Sequence, residues 1–273
     1  MSNEVFQKPE EAQVVQKSNN QFEVPVESIT LPSKGLVYPV GNILSNEECV
    51  QIRTMCAKDE DLLTSRALIK NGTVISQLLS ACITNKAIDP DDMLVGDRNA
   101  VLIAIRITGY GADYSVKIGC PSCDEEFDNS FDLSQLEIKP IGASPVAPNT
   151  NIFEYILPLS GMKVNFKLFT GKDETEMSRT AEKKKKLQTQ IDNSVTSRLY
   201  NSIVSINGNS DRNLISKLIN NMRAGDSRAL RKYMDQIEPG INMKQTVTCP
   251  HCNEESEVDI PLGVSFFWPD FGK

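Results

Sequence analysis

Cys120-Pro-Ser-Cys123 and Cys249-Pro-His-Cys252 are the stretches on which the reading of this chain turns. Two residues between cysteines let both thiolates of a tight turn face one metal ion. Strand-like runs precede them, Tyr114–Ile118 and Met243–Thr248, and alternating runs follow, Phe127–Leu133 and Ser256–Leu262. Each pair therefore reads as a zinc knuckle at the end of a hairpin. Two knuckles make one tetrahedral four-cysteine site of Cys120, Cys123, Cys249 and Cys252, with one structural Zn(II) per chain. Four thiolates leave no open coordination position, so catalysis at the metal is not expected.

Other readings of the cysteines remain open. Two disulfides need an oxidising compartment, and no signal-peptide pattern opens the sequence. A thioredoxin-type pair belongs at a helix start, whereas these lie between strands. Iron–sulfur ligation and free thiols are further alternatives. His251, the only histidine, sits inside a knuckle and reads as an exposed turn residue. Cys49, Cys56 and Cys82 lack ligand spacing, and Cys82 lies in the apolar run Val74–Ile83, as a core thiol does.

Outward from the knuckles, the chain is written twice. Leu31-Pro-Ser-Lys-Gly35 is echoed by Leu157-Pro-Leu-Ser-Gly161, each expected to open into an extended segment. Strand-like Cys49–Thr54 and Lys163–Leu168 lead to helix starts at Ala57-Lys-Asp-Glu60 and Gly171-Lys-Asp-Glu174, where acidic residues suit the helix dipole. Leu63-Thr-Ser-Arg66 and Val195-Thr-Ser-Arg198 precede Ile/Leu-rich stretches that read as helical. Helices are expected over about Asp97–Thr108 and Asp226–Ile237, ending near Gly109 and Gly240. Gly96 to Gly225 and Cys120 to Cys249 share one offset, 129 residues.

The fold class expected is therefore α+β and internally duplicated, two pseudo-symmetric halves sharing the zinc. The boundaries are a flexible tail over 1–29, repeat one over 30–140, a linker over 141–152 and repeat two over 153–273. Val264–Phe271, with the sole Trp, caps the core or anchors a partner. Lys183–Lys186 reads as a solvated helix face, and Asp91–Asp92 as N-terminal charges of a helix following Pro90.

The 273 residues carry a net charge of −7, which disfavours a general nucleic-acid binder. No apolar run approaches the roughly 20 residues needed to span a bilayer. Phosphate-binding glycine loops, G-x-S-x-G elbows and H-E-x-x-H helices are absent from the sequence. A zinc-ribbon nucleic-acid adaptor would meet acidic residues, Asp124-Glu-Glu126 and Glu254-Glu255, beside both pairs. A thiol redox protein using Cys120 and Cys123 would need substrate-positioning chemistry that the sequence does not display.

Leu31-Pro-Ser-Lys-Gly-Leu-Val-Tyr-Pro39, Ala57-Lys-Asp-Glu-Asp-Leu-Leu63, Gly96-Asp-Arg-Asn-Ala100, Cys120-Pro-Ser-Cys123 with Phe131-Asp-Leu133, Val204-Ser-Ile-Asn-Gly208 and Phe266-Phe-Trp-Pro269 carry a resemblance. Over about Ser28–Pro269 the chain resembles T4-type bacteriophage baseplate proteins associated with the central hub of contractile tails. That resemblance implies a non-enzymatic role in hub assembly, or a permanent place in the baseplate. It implies other hub or tail proteins as partners and the host cytoplasm as the place of action, with no substrate, nucleic acid or membrane partner.

Overall fold

The computed structural model describes residues 24–186, 194–262 and 264–267, the side chains of 181–186 and 264–265 excepted. The first half contains β1 (Val26–Thr30), β2 (Cys49–Arg53), α1 (Ala57–Thr64), α2 (Arg66–Asn71), α3 (Val74–Cys82) and α4 (Val95–Tyr110). It continues through the ribbon β3 (Asp113–Gly119) and β4 (Glu126–Asp132) to a short β5 (Ile138–Lys139). Next come β6 (Phe153–Ile156), β7 (Lys163–Phe166), α5 (Gly171–Lys186), α6 (Ser194–Ser202), β8 (Ile203–Ile206) and α7 (Arg212–Asn221). The chain closes with α8 (Ala224–Ile237), β9 (Gly240–Ile241) and the ribbon β10 (Lys244–Thr248) and β11 (Glu255–Asp259), before a 3-10 turn at Val264–Phe267. This is a mixed α+β protein of small sheets.

Helix α4 is the spine. Its Ala100–Ile103 run and Ile105 are all buried, so the helix is covered on most sides rather than along one stripe. Gly111, at φ +88°, ends it and returns its N–H to the Ile107 carbonyl; Gly109 lies inside the helix. Buried Arg106 donates to the carbonyls of Gly111, Asp113 and Phe266, tying the spine to the ribbon and to the C-terminal turn. Phe266 and Phe267 are fully buried, and Phe266 meets Tyr114 edge-on at 4.9 Å. That part of the aromatic cluster caps the core; Trp268 lies outside the described residues.

Helix starts in the two halves are built alike. The Cys56 N–H donates to Asp59 Oδ2 over 2.9 Å, and Arg53 clamps the same carboxylate with both terminal nitrogens at 2.6 and 2.8 Å. At α5 the Thr170 N–H donates to Asp173 Oδ2 over 3.0 Å, and Lys167 Nζ donates to Oδ1 over 2.6 Å. Strand partners repeat too: Ile52 bridges to Ile83 after α3, and Phe166 pairs with Ile203 after α6.

Several expectations are corrected. Leu31–Gly35 does not open into extended chain; it begins a long run of turns, and Gly35, at φ +71°, leaves no room for a side chain against the Leu44–Glu47 backbone. Asp91 and Asp92 start no helix. They lie in turns before α4, where Asp91 accepts from Ser76 and Asp92 accepts from Lys172. Val195–Arg198 lies within α6 and is followed by strand β8, because Ile203-Val-Ser-Ile206 supplies β-branched residues to the edge of β7. Helix α8 stops at Ile237, and Gly240 opens β9 instead of ending the helix.

The expected tail gives up Val26–Ile29 to β1, which pairs antiparallel with β2; residues 1–23 lie outside the described set. Residues 141–152 are pinned, Gly142 donating to the Ile237 carbonyl and Val146 to that of Ile152. Lys183–Lys186 continue α5 in backbone, and their side chains lie outside the described residues.

Candidate metal centre

Both knuckles are made by the same backbone bonds. The Cys120 N–H donates to the Glu125 carbonyl at 2.9 Å, and the Asp124 N–H returns to the Cys120 carbonyl at 2.9 Å. In the second, Cys249 donates to Glu254 at 3.0 Å and Asn253 to Cys249 at 2.9 Å. The turn requires a left-handed residue after each second cysteine, supplied by Asp124 (φ 57°) and Asn253 (φ 58°). Asp and Asn are the non-glycine residues that tolerate this region best. Each turn closes its ribbon where pairing ends, at Gly119–Glu126 and Thr248–Glu255.

The knuckles face each other crosswise. Cys120 Sγ is 3.7 Å from Cys252 Sγ, and Cys123 Sγ is 3.8 Å from Cys249 Sγ. All four sulfurs lie within 4.8 Å of one another. A tetrahedron with metal–sulfur bonds of about 2.3 Å has edges of about 3.8 Å, so the donor set fits one ion. A disulfide would need sulfurs about 2.05 Å apart, and all seven cysteines are free thiols. Cys120 and Cys249 are buried, Cys123 half-buried and Cys252 exposed. The Ser122 and Cys123 backbone N–H groups bring the Cys120 thiol down, whereas Cys123 and Cys252 are pushed up against their own backbone donors by burial and the neighbouring sulfurs. His251 is exposed and is not among the clustered donors.

The other cysteines stay apart. Cys82 is buried in the core, where burial pushes its thiol up to about 11. Cys56 caps α1, and Cys49 is exposed at the start of β2.

The sequence reading missed the charged residues buried around α4. Asp97, fully enclosed, accepts from the Ser33 N–H (2.8 Å), the Ser33 hydroxyl and the Tyr38 hydroxyl (2.7 Å). Burial pushes its carboxyl up although all three donors oppose the shift. In the second half, buried Asp226 accepts from the Leu159 N–H over 2.7 Å. The recurring Gly-Asp doublets were the available signal, but nothing in their spacing told a buried carboxylate from a helix-start charge.

Compared with known families, residues 36–268 match the model of the T4 bacteriophage base plate protein. The chain belongs to that family. No curated protein and no solved structure matches it. As a T4-type base plate protein it has other tail and base plate proteins as its natural partners. Among the described residues no helix is long and apolar enough to cross a membrane.

Proposed function

We propose that this base plate protein acts without catalysis in assembling the central hub of a contractile phage tail, in the host cytoplasm, as a rigid adaptor for hub subunits. The observation that carries it is family membership over residues 36–268 together with a donor cluster that has no open position for a substrate.

The adaptor consists of two halves descended from one repeat, over 30–140 and 153–273, with 141–152 joining them. Support comes from the shared helix-start device at Asp59 and Asp173, the Ser33–Asp97 and Leu159–Asp226 bonds, and the matching backbone bonds of the two knuckle turns. Cys120, Cys123, Cys249 and Cys252 hold a single Zn(II), whose role is structural. A soft S4 set at tetrahedral spacing suits zinc or an iron–sulfur cluster, and a mononuclear zinc site needs no inorganic sulfide.

Co-expression with each hub protein of the same tail tests the role. A stable complex that disappears from finished baseplates supports the assembly reading. Retention in purified baseplates at fixed stoichiometry supports the second reading, a permanent hub component, and the absence of any hub complex contradicts both.

A further inference from the structure

Antiparallel pairing with β2 engages only every second residue of β1. The Leu31 N–H donates to the Glu48 carbonyl and the Thr54 N–H to the Pro25 carbonyl, so Glu27 and Ile29 between them are the residues bonded to β2. Val26, Ser28 and Thr30 turn their N–H and C=O groups the other way. The sheet has two strands only, and no described residue bonds to those outward groups. All three residues are exposed, Val26 by 55%. The far edge of β2 is not free in this way, because Ile52 bridges to Ile83 and the Thr84 N–H donates to the Gln51 carbonyl.

A free strand edge invites another strand, and proteins guard such edges with charge or proline. The ribbons are guarded. By the same alternation the outward-bonding residues of β4 include Glu126, Asp128 and Asp132, and those of β11 are Glu255, Glu257 and Asp259. On β1 the guards stand on the wrong side. Pro25 and Glu27 both fall among the residues facing β2, so the missing proline N–H costs the outer edge nothing. Val26, Ser28 and Thr30 are uncharged.

We propose that the outer edge of β1 docks an extended segment of another base plate protein, which joins the sheet as a third strand through the N–H and C=O groups of Val26, Ser28 and Thr30. Charge selects the occupant. The ladder and the two residues leading into β2 expose Glu27, Glu47 and Glu48, whereas Arg53, the basic side chain there, is held by Asp59 at 2.6 Å. A segment carrying Lys or Arg among β-branched residues fits those surroundings. A second copy of this chain, with a net charge of −7, does not. Nor does the chain's own stretch 1–23, with four Glu against two Lys. The inference rests on family membership and is independent of the metal and of the hub-assembly role.

The test is amide hydrogen exchange, read residue by residue by NMR on the full-length, metal-loaded protein. It is measured alone and then with each purified base plate protein of the same tail in turn. Alone, the Val26, Ser28 and Thr30 amides are expected to exchange about tenfold or more faster than those of Glu27 and Ile29. Protection of all five in the free protein means that this chain or a second copy already covers the edge, and overturns the site. One partner is expected to slow the three outward amides about tenfold or more. A partner that binds without slowing them overturns the β1 site and leaves the hub role standing, whereas binding by none overturns both. Ser28→Pro removes an outward N–H and no bond to β2, and is expected to weaken that partner about tenfold. Val26→Pro, at the first residue of the strand, replaces it if S28P loses the protected Glu27 and Ile29 amides. Unchanged binding by a folded variant also overturns the site.

Discussion

The Ser33 hydroxyl donates to Asp97 Oδ2 over 2.5 Å, between two residues that solvent does not reach. The loop after β1 is thereby tied to the first turn of α4, 64 residues away. Asp97→Ala would strand the Ser33 N–H and the Ser33 and Tyr38 hydroxyls without their acceptor. The expected loss is about 3 kcal/mol, read from urea unfolding, since each buried unsatisfied group costs about 1–3 kcal/mol. Asp226→Ala, which strands the Leu159 N–H, is expected to cost about 1 kcal/mol by the same measure.

Asp59 gives the fold an acid limb. Burial alone would push its carboxyl up, but the Arg53 guanidinium and the Cys56 N–H outweigh burial and bring it down to about 2. The folded value lies below the unfolded value of about 3.9, so the stabilisation is complete above pH 4 and is lost as pH falls toward 2. Asp59→Asn is expected to lower stability at pH 6 and to flatten its pH dependence between pH 4 and 2. Urea midpoints across that range check this; parallel curves for the two proteins would contradict it.

Gly96, in the first turn of α4, lies against the Pro239 backbone that follows α8. A Cβ there would lie 1.8 Å from the Pro239 carbonyl oxygen, a backbone atom that cannot swing aside. Gly96→Ala is expected to destabilise by about 3 kcal/mol or more, at the upper end of overpacking costs. Gly119→Ala, whose Cβ would meet nothing within 4 Å, is the control and is expected to change the melting temperature little.

The cysteine site is not all that joins the halves. Leu94 bridges to Thr170, the Gly171 and Lys172 N–H groups donate to Met93 and Asp91, and β5 pairs with β9. Metal removal is therefore expected to release the ribbons and leave the body folded. Hydrogen exchange should quicken in β3 and β10 after chelation, while the buried amides of Leu102–Ile105 stay protected. Cys252→Ser should reproduce this pattern, and exposed Cys49→Ser should not.

The parts of the fold that rest on local chemistry were legible in the sequence. The knuckles, the acidic helix starts and the apolar spine of α4 each need only neighbouring residues. What escaped depends on partners far along the chain. Leu31–Gly35 turns because Asp97 captures Ser33, and Asp91 stays out of a helix while serving Ser76 and approaching Arg98. Arg98 itself reads as an ordinary helix residue until Gly171 is seen to make space for it. The shared cluster of four cysteines was legible because thiolates have few other uses at that spacing, whereas buried Asp and Arg have many.

The central claim is one Zn(II) shared by Cys120, Cys123, Cys249 and Cys252. Native mass spectrometry of untagged protein, before and after a strong chelator, tests it most directly. One zinc per chain, lost on chelation, is the predicted result; two metals per chain, or none with all seven thiols reactive, would contradict the shared site.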